Sequence, residues 1–190
     1  QLKDKQVNDI LVLDEQIWIT TENSFLQFSK KGNLISEQSF NNPTQLAVGT
    51  EANGWLISRN GLFKNDAEKI QTVLLLTPDE TNEIHDVLED AEGNTWYNLN
   101  KTVVKFNPTT SAKQIFQLPG VDRKTDITCL YQDGQQNIWV GTMGKGIYLI
   151  NAKSNTVKHM NNLQGNEGMS ILSITGKNDH VWISSLQGIF

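Results

Sequence analysis

His85 and Asp86 stand side by side, and a histidine beside a carboxylate is the first pair to test for proton transfer. Both fall in a short extended segment, IHDVLED, where alternation sends neighbouring side chains to opposite faces, so they do not form a catalytic pair. His85 is read instead as a channel-lining polar residue or a ligand contact. Arg59 and Arg123 flank turns, where a guanidinium is either solvated or grips the carboxylate of an acidic sugar. Asp9, Glu83 and Asp126 each precede an isoleucine at the start of an extended segment. They either cap turns or ring one mouth of a channel, where they would draw a cation or a hydroxyl-rich ligand. The candidate ligand-binding set is therefore His85, Arg59, Arg123 and Asp126.

Other chemistries find no residues to carry them. His159 falls on an extended segment and His180 on a turn, and no three histidines and carboxylates have metal-ligand spacing. A nucleophile elbow and a paired-carboxylate site are absent, so no catalytic residue, metal or cofactor is expected. Gly141, Gly144 and Gly146 lack the spacing and the following helix of a dinucleotide or phosphate loop, and read as turn and close-approach glycines. Cys129 is the only cysteine, which excludes an intrachain disulfide and a thiolate cluster; inside an alternating segment it reads as a small buried apolar residue. Sixteen Lys and Arg against 21 Asp and Glu give a net charge of −5, with no basic block, so phosphate-backbone binding to nucleic acid is not expected. The longest apolar runs, Val73–Leu76 among them, are far short of the ~20 residues that cross a bilayer, so this region is not expected to insert in a membrane. Asn100-Lys101-Thr102 fits a glycosylation acceptor, a short pattern that matters only in a eukaryotic secretory setting.

The elements that must position these residues are set by the tryptophans. Trp18, Trp55, Trp96, Trp139 and Trp182 recur at intervals of 37, 41, 43 and 43 residues, the period of a propeller or other repeat array. The clearest unit is 125–151, TDITCLYQDGQQNIWVGTMGKGIYLIN: an apolar segment, an Asp-Gly turn, the Trp139 segment, a Gly-rich turn and a third apolar segment. Ile138 and Val140 point to one face and Trp139 to the other, so both faces are apolar. A sheet covered front and back by neighbouring sheets has this pattern. The tryptophans then fill the space between sheets instead of forming a ligand platform. Laid along the chain, the unit predicts an all-β fold of β-propeller blades, each a four-stranded antiparallel sheet, at 7–40, 44–76, 84–118, 127–160 and 170–190. Pro43 and Pro78 are placed just outside strands.

With IWVGT and GIYLIN on the page, 125–151 resembles the two-component regulator propeller repeats. Ile171–Phe190 is similar as far as it goes. Glu83–Asn107 is similar with Tyr97-Asn98 in place of small residues, and NGLFKND at Asn60–Asp66 retains the pattern. Such repeats occur in the extracytoplasmic sensor regions of bacterial hybrid two-component histidine kinases, notably in gut Bacteroides. The resemblance implies a periplasmic, non-enzymatic input region of an inner-membrane signalling protein that recognises an oligosaccharide or similar polar solute. A structural or dimerisation module without a ligand is the alternative, and a propeller lyase or hydrolase a remoter one.

The same ruler runs out at Phe190, partway through the fifth repeat, and only six residues precede Val7. The expectation is an incomplete, open arc of about four and a half blades. Its exposed sheet edge and apolar end faces would associate with missing blades of the parent chain or with another copy.

Overall fold

The computed structural model describes residues 5–40, 43–48, 54–58, 61–66, 69–76, 84–160, 168–177 and 180–190. Among them, five antiparallel sheets follow one another along the chain, four of four strands and one of three. The first comprises β1 (Val7–Val12), β2 (Gln16–Thr21), β3 (Ser24–Ser29) and β4 (Leu34–Ser39). The second comprises β5 (Pro43–Val48), β6 (Gly54–Ser58), β7 (Gly61–Asp66) and β8 (Lys69–Leu75). The third has β9 (Val87–Glu89), β10 (Thr95–Leu99), β11 (Thr102–Phe106) and β12 (Lys113–Gln117). The fourth has β13 (Ile127–Gln132), β14 (Asn137–Thr142), β15 (Ile147–Asn151) and β16 (Thr156–His159), and the fifth β17 (Ile171–Lys177), β18 (His180–Ser185) and β19 (Gly188–Ile189). Each sheet is a meander in chain order. The chain forms two compact units, Gln1–Ile84 and His85–Phe190.

In the second unit, both faces of β14 are used as its composition requires. Ile138 and Val140, with Tyr148 and Ile150 beside them, pack on Trp96, Val103, Phe116 and Leu118 of the third sheet. On the other face Trp139, Cys129 and Ile147 meet Ile171, Ile174 and Ile183 of the fifth. Gly141 allows that approach: a Cβ there would lie 2.5 Å from Cys129 Sγ and 2.7 Å from Ile171 Cγ2. In the first unit Trp18, Phe25, Leu46 and Leu56 form the corresponding layer between the first two sheets, and a Cβ on Gly54 would collide with the Trp18 ring. The fourth strands carry alternating, more exposed patterns, as outermost strands do.

Four local expectations change. His85 and Asp86 precede β9, which begins at Val87, and are not strand residues. Pro43 is not outside a strand but opens β5, paired with Ser58 beside a bulge, a position where a missing N–H breaks no ladder bond. Asp9 lies within β1 and not before it, because pairing with β2 already begins at Val7. His180 opens β18, paired with Lys177, and is not a turn residue. Pro78, Glu83, Arg59 and Asn60 lie outside the described residues.

Candidate functional site

One end of the second unit gathers most of the residues that the sequence singled out. The pairings Leu99↔Thr102, Thr102↔Gln117 and Ile127↔Thr142 place the β10–β11 turn, the 118–126 connection and the β14–β15 turn at the same end of the third and fourth sheets. The pieces are knitted together there. Asp126 pairs with Lys101, which sits in the β10–β11 turn with φ 62°. The Asp126 carbonyl accepts the Met143 amide at 2.8 Å, and the Met169 carbonyl accepts those of Gly144 and Gly146 at 3.1 and 3.0 Å.

Arg123 is exposed in a turn shaped by Asp122, whose carboxylate accepts the Lys124 amide at 2.9 Å and the Thr125 hydroxyl at 3.0 Å. Those two bonds, with Lys145 nearby, hold the Asp122 carboxyl below the usual carboxylate range. The backbone amides of His85 and Asp86 both donate to Asn98 Oδ1, at 2.8 and 3.0 Å, which fixes the entry into the third sheet. His159 closes β16, stacks on Tyr148 with ring centroids 4.3 Å apart and meets the Lys145 carbonyl through Nε2 at 2.7 Å. His85, Arg123 and Asp126 thus share one end, with Asp126 in an ion pair and Arg123 open to solvent. No group of three His, Cys, Asp or Glu among the described residues is placed to hold a metal ion.

Sequence reasoning passed over a second set of carboxylates. Asp90 accepts the amides of Glu92 and Asn94, the Asn94 side chain, and the Trp96 indole N–H at 2.8 Å. Asp133 repeats the arrangement on Gln135, Asn137 and Trp139, again with the indole at 2.8 Å. Burial pulls both carboxyls up, but the bonds from the indole, the Asn side chain and the turn amides outweigh it and leave them below the usual range. The signal was legible as Asp-x3-Asn-x-Trp, 43 residues apart. The motif makes these tryptophans structural: their one polar atom is already committed.

The other tryptophans lack it, having Val12, Gly49 and Gly176 where the aspartate would stand. Trp18 uses Gln16 instead, at 2.9 Å, and the Trp55 Nε1 is buried without a hydrogen-bond partner. Trp182 departs furthest from the packing expectation. It is 44% exposed, where Trp18, Trp55 and Trp96 are at 2% or less. The His180 ring lies 5.9 Å from it, and Ile189 and the paired Ser173 and Ser184 hydroxyls share its face. Cys129 is buried as expected; burial first, and the neighbouring Asp86 charge in addition, push its thiol up to about 11, so it stays unreactive at neutral pH.

Residues 123–144, spanning Arg123, Asp126, Asp133 and Trp139, match the model of the two component regulator propeller family. The match covers β13 and β14 of the fourth sheet. No curated protein matches the sequence. Among solved structures, the extracellular domain of the hybrid two component system BT4673 from B. thetaiotaomicron is similar at 21% identity and TM-score 0.70, over 96% of this chain and 27% of that one. The extracellular domain of the hybrid two component system BT3049 from the same organism gives 14% and 0.68, over 96% and 26%. Virginiamycin B lyase from Staphylococcus aureus gives 16% and 0.74, over 95% and 64%. The chain therefore spans about a quarter of the two Bacteroides domains and under two thirds of the lyase. At these identities the likeness establishes the fold, successive β-propeller blades. Among the described residues no helix is long and apolar enough to cross a membrane.

Proposed function

We propose that this chain is part of the sensory input region of a hybrid two-component signalling protein, held in the periplasm, and that it contributes to recognition of an oligosaccharide or similar polar solute. The observation that carries the reading is the propeller repeat at 123–144, on a fold shared with the extracellular domains of two such systems. The recognition surface in this reading is the turn end of the second unit. Its exposed Arg123 and the Lys101–Asp126 pair offer charged donors and acceptors of the kind that bind hydroxyl and carboxylate groups. His85 stands at the same end.

Calorimetric titration with a panel of neutral and acidic oligosaccharides tests this. Saturable binding without product formation, weakened at least tenfold by Arg123→Ala, is expected. A flat panel would remove the reading, and turnover of any sugar would replace it with a propeller lyase or hydrolase.

A second reading is favoured by one observation, the exposed Trp182 face. Trp96 is covered by the fourth sheet and Trp139 by the fifth, so a further blade, of the parent chain or of a second copy, is the natural cover for Trp182. In that reading the blades belong to a larger propeller and serve assembly. A mass that rises with concentration in sedimentation, and falls back with Trp182→Ser, supports it. A monomer at all concentrations counts against it.

A further inference from the structure

A carboxylate outside the candidate site joins the third sheet to the fourth. β13 is the edge of its sheet, so alternate N–H groups along it lack a ladder partner and must be met from elsewhere. The Leu130 amide is one of them. It donates to Asp86 Oδ2 at 2.8 Å, a bond spanning 44 residues and crossing from one sheet to the next. The other oxygen, Oδ1, accepts the Val87 amide at 2.8 Å, so both acceptors are used. Asn98, holding the His85 and Asp86 amides, fixes the carboxylate in place from β10.

The first unit uses the same device. Asp9 Oδ1 accepts the Ile10 amide and Oδ2 the Leu46 amide of edge strand β5, both at 2.8 Å. Between the fourth and fifth sheets the carboxylate is replaced. Cys129 stands beside Thr128, whose hydroxyl donates to the Ile171 carbonyl of β17 at 2.7 Å. That neutral contact does not depend on protonation; the Asp86 contact does.

We propose that Asp86 is a protonation-dependent latch: as a carboxylate it holds the β13 edge to the third sheet, and on taking up a proton from solvent it keeps Val87 and lets go of Leu130. A carboxyl group has one good acceptor oxygen, and the hydroxyl oxygen that forms must donate. The Val87 bond closes a small ring within its own chain and is kept by connectivity, whereas the Leu130 bond joins separate sheets. Burial acts in the same direction, pushing the carboxyl up to about 6 against the pull of its two amide bonds. The charged surroundings do not oppose the change. From β13 the titratable neighbour is the Cys129 thiol, neutral in this range; from β10 the neighbour is the Asn98 amide; and on its own segment the adjacent residue is His85. Among the described residues no cation contributes to holding Asp86 ionised.

Two signals from the intact chain test the latch: the Asp86 carboxyl carbon shift in NMR and the exchange protection of the Leu130 amide, corrected for intrinsic rate, between pH 5 and 7.5. The carboxyl should titrate near pH 6. Leu130 protection should fall about tenfold or more toward pH 5 with the same midpoint, while Val87 keeps its protection. In Asp86→Asn the step should vanish. Titration in the ordinary range near 4 would overturn the latch, as would flat Leu130 protection while the carboxyl titrates, or a step that persists in Asp86→Asn. The two wild-type signals decide the matter even where the variant does not fold.

Discussion

Replacing Asp90 by alanine should unfold the third and fourth sheets far more readily than replacing Asp133, although the two make nearly the same bonds. Asp90 is 3% exposed and its partners Asn94 and Trp96 are at 3% and 0%. Removing its carboxylate leaves the Asn94 amide, the Asn94 side chain and the Trp96 indole without acceptors in a place that water does not reach. It also leaves Lys105, 3.8 Å away, short of one of its two carboxylates. At about 1–3 kcal/mol for each buried donor, and allowing for partial entry of water, the cost is roughly 3–5 kcal/mol. At Asp133 the carboxylate and Trp139 are half-buried, so the indole finds water while the buried Asn137 loses its acceptor, and the cost is about 1–3 kcal/mol. Urea unfolding followed through NMR intensities of residues 85–190 measures both variants in the same unit. Equal losses, or a loss below about 1 kcal/mol in Asp90→Ala, would show that desolvation does not set the strength of the motif.

The other perturbations have definite signs. Because burial raises Asp86 from 3.8 to about 6, its folded state binds more protons than the unfolded chain between those values. Its contribution to stability therefore falls by roughly 2 kcal/mol as pH rises from 4 to 6, a slope that Asp86→Asn should abolish in denaturation measured across that range. Asp90 and Asp133, whose carboxyls are lowered, run the other way: their stabilisation is present above pH 4 and is lost as pH falls through their folded values. Gly141→Ala should cost about 1–3 kcal/mol by forcing the fourth and fifth sheets apart, seen as a loss of protection in β13 and β17 amides and not in β1–β4. Trp96→Ala should cost about 3–5 kcal/mol, while Trp182→Ala should change the thermal midpoint little, because its ring is already 44% in water.

What could be read in the sequence was what lies within one sheet. The 43-residue tryptophan period and the double-faced apolar pattern of Ile138–Gly141 mark each sheet as a repeated unit covered on both faces, and the turn glycines mark hairpins whose paired residues are no more than 15 apart. Spacing along the chain therefore reports them, and the meanders follow it. The Asp-x3-Asn-x-Trp motif belongs to the same class and was visible, though its role was not, since a carboxylate in a turn has many uses. Asp9 was aligned with Asp126 by its following isoleucine, whereas the structure aligns it with Asp86 by the amide it caps on the next sheet.

The chain by itself determined five repeats, the all-β class, the burial of Cys129 and the absence of a basic footprint. These depend on composition and on local periodicity, which a single sequence contains in full. Only the tertiary structure decided that Asp86 reaches Leu130, that Lys101 takes up the Asp126 carboxylate, and that Trp182 alone of the five is exposed. Each of those depends on which face of one sheet meets which edge of the next. Residues 25 to 44 positions apart are brought together by the stacking of blades, and no alternation or spacing within a blade encodes that meeting.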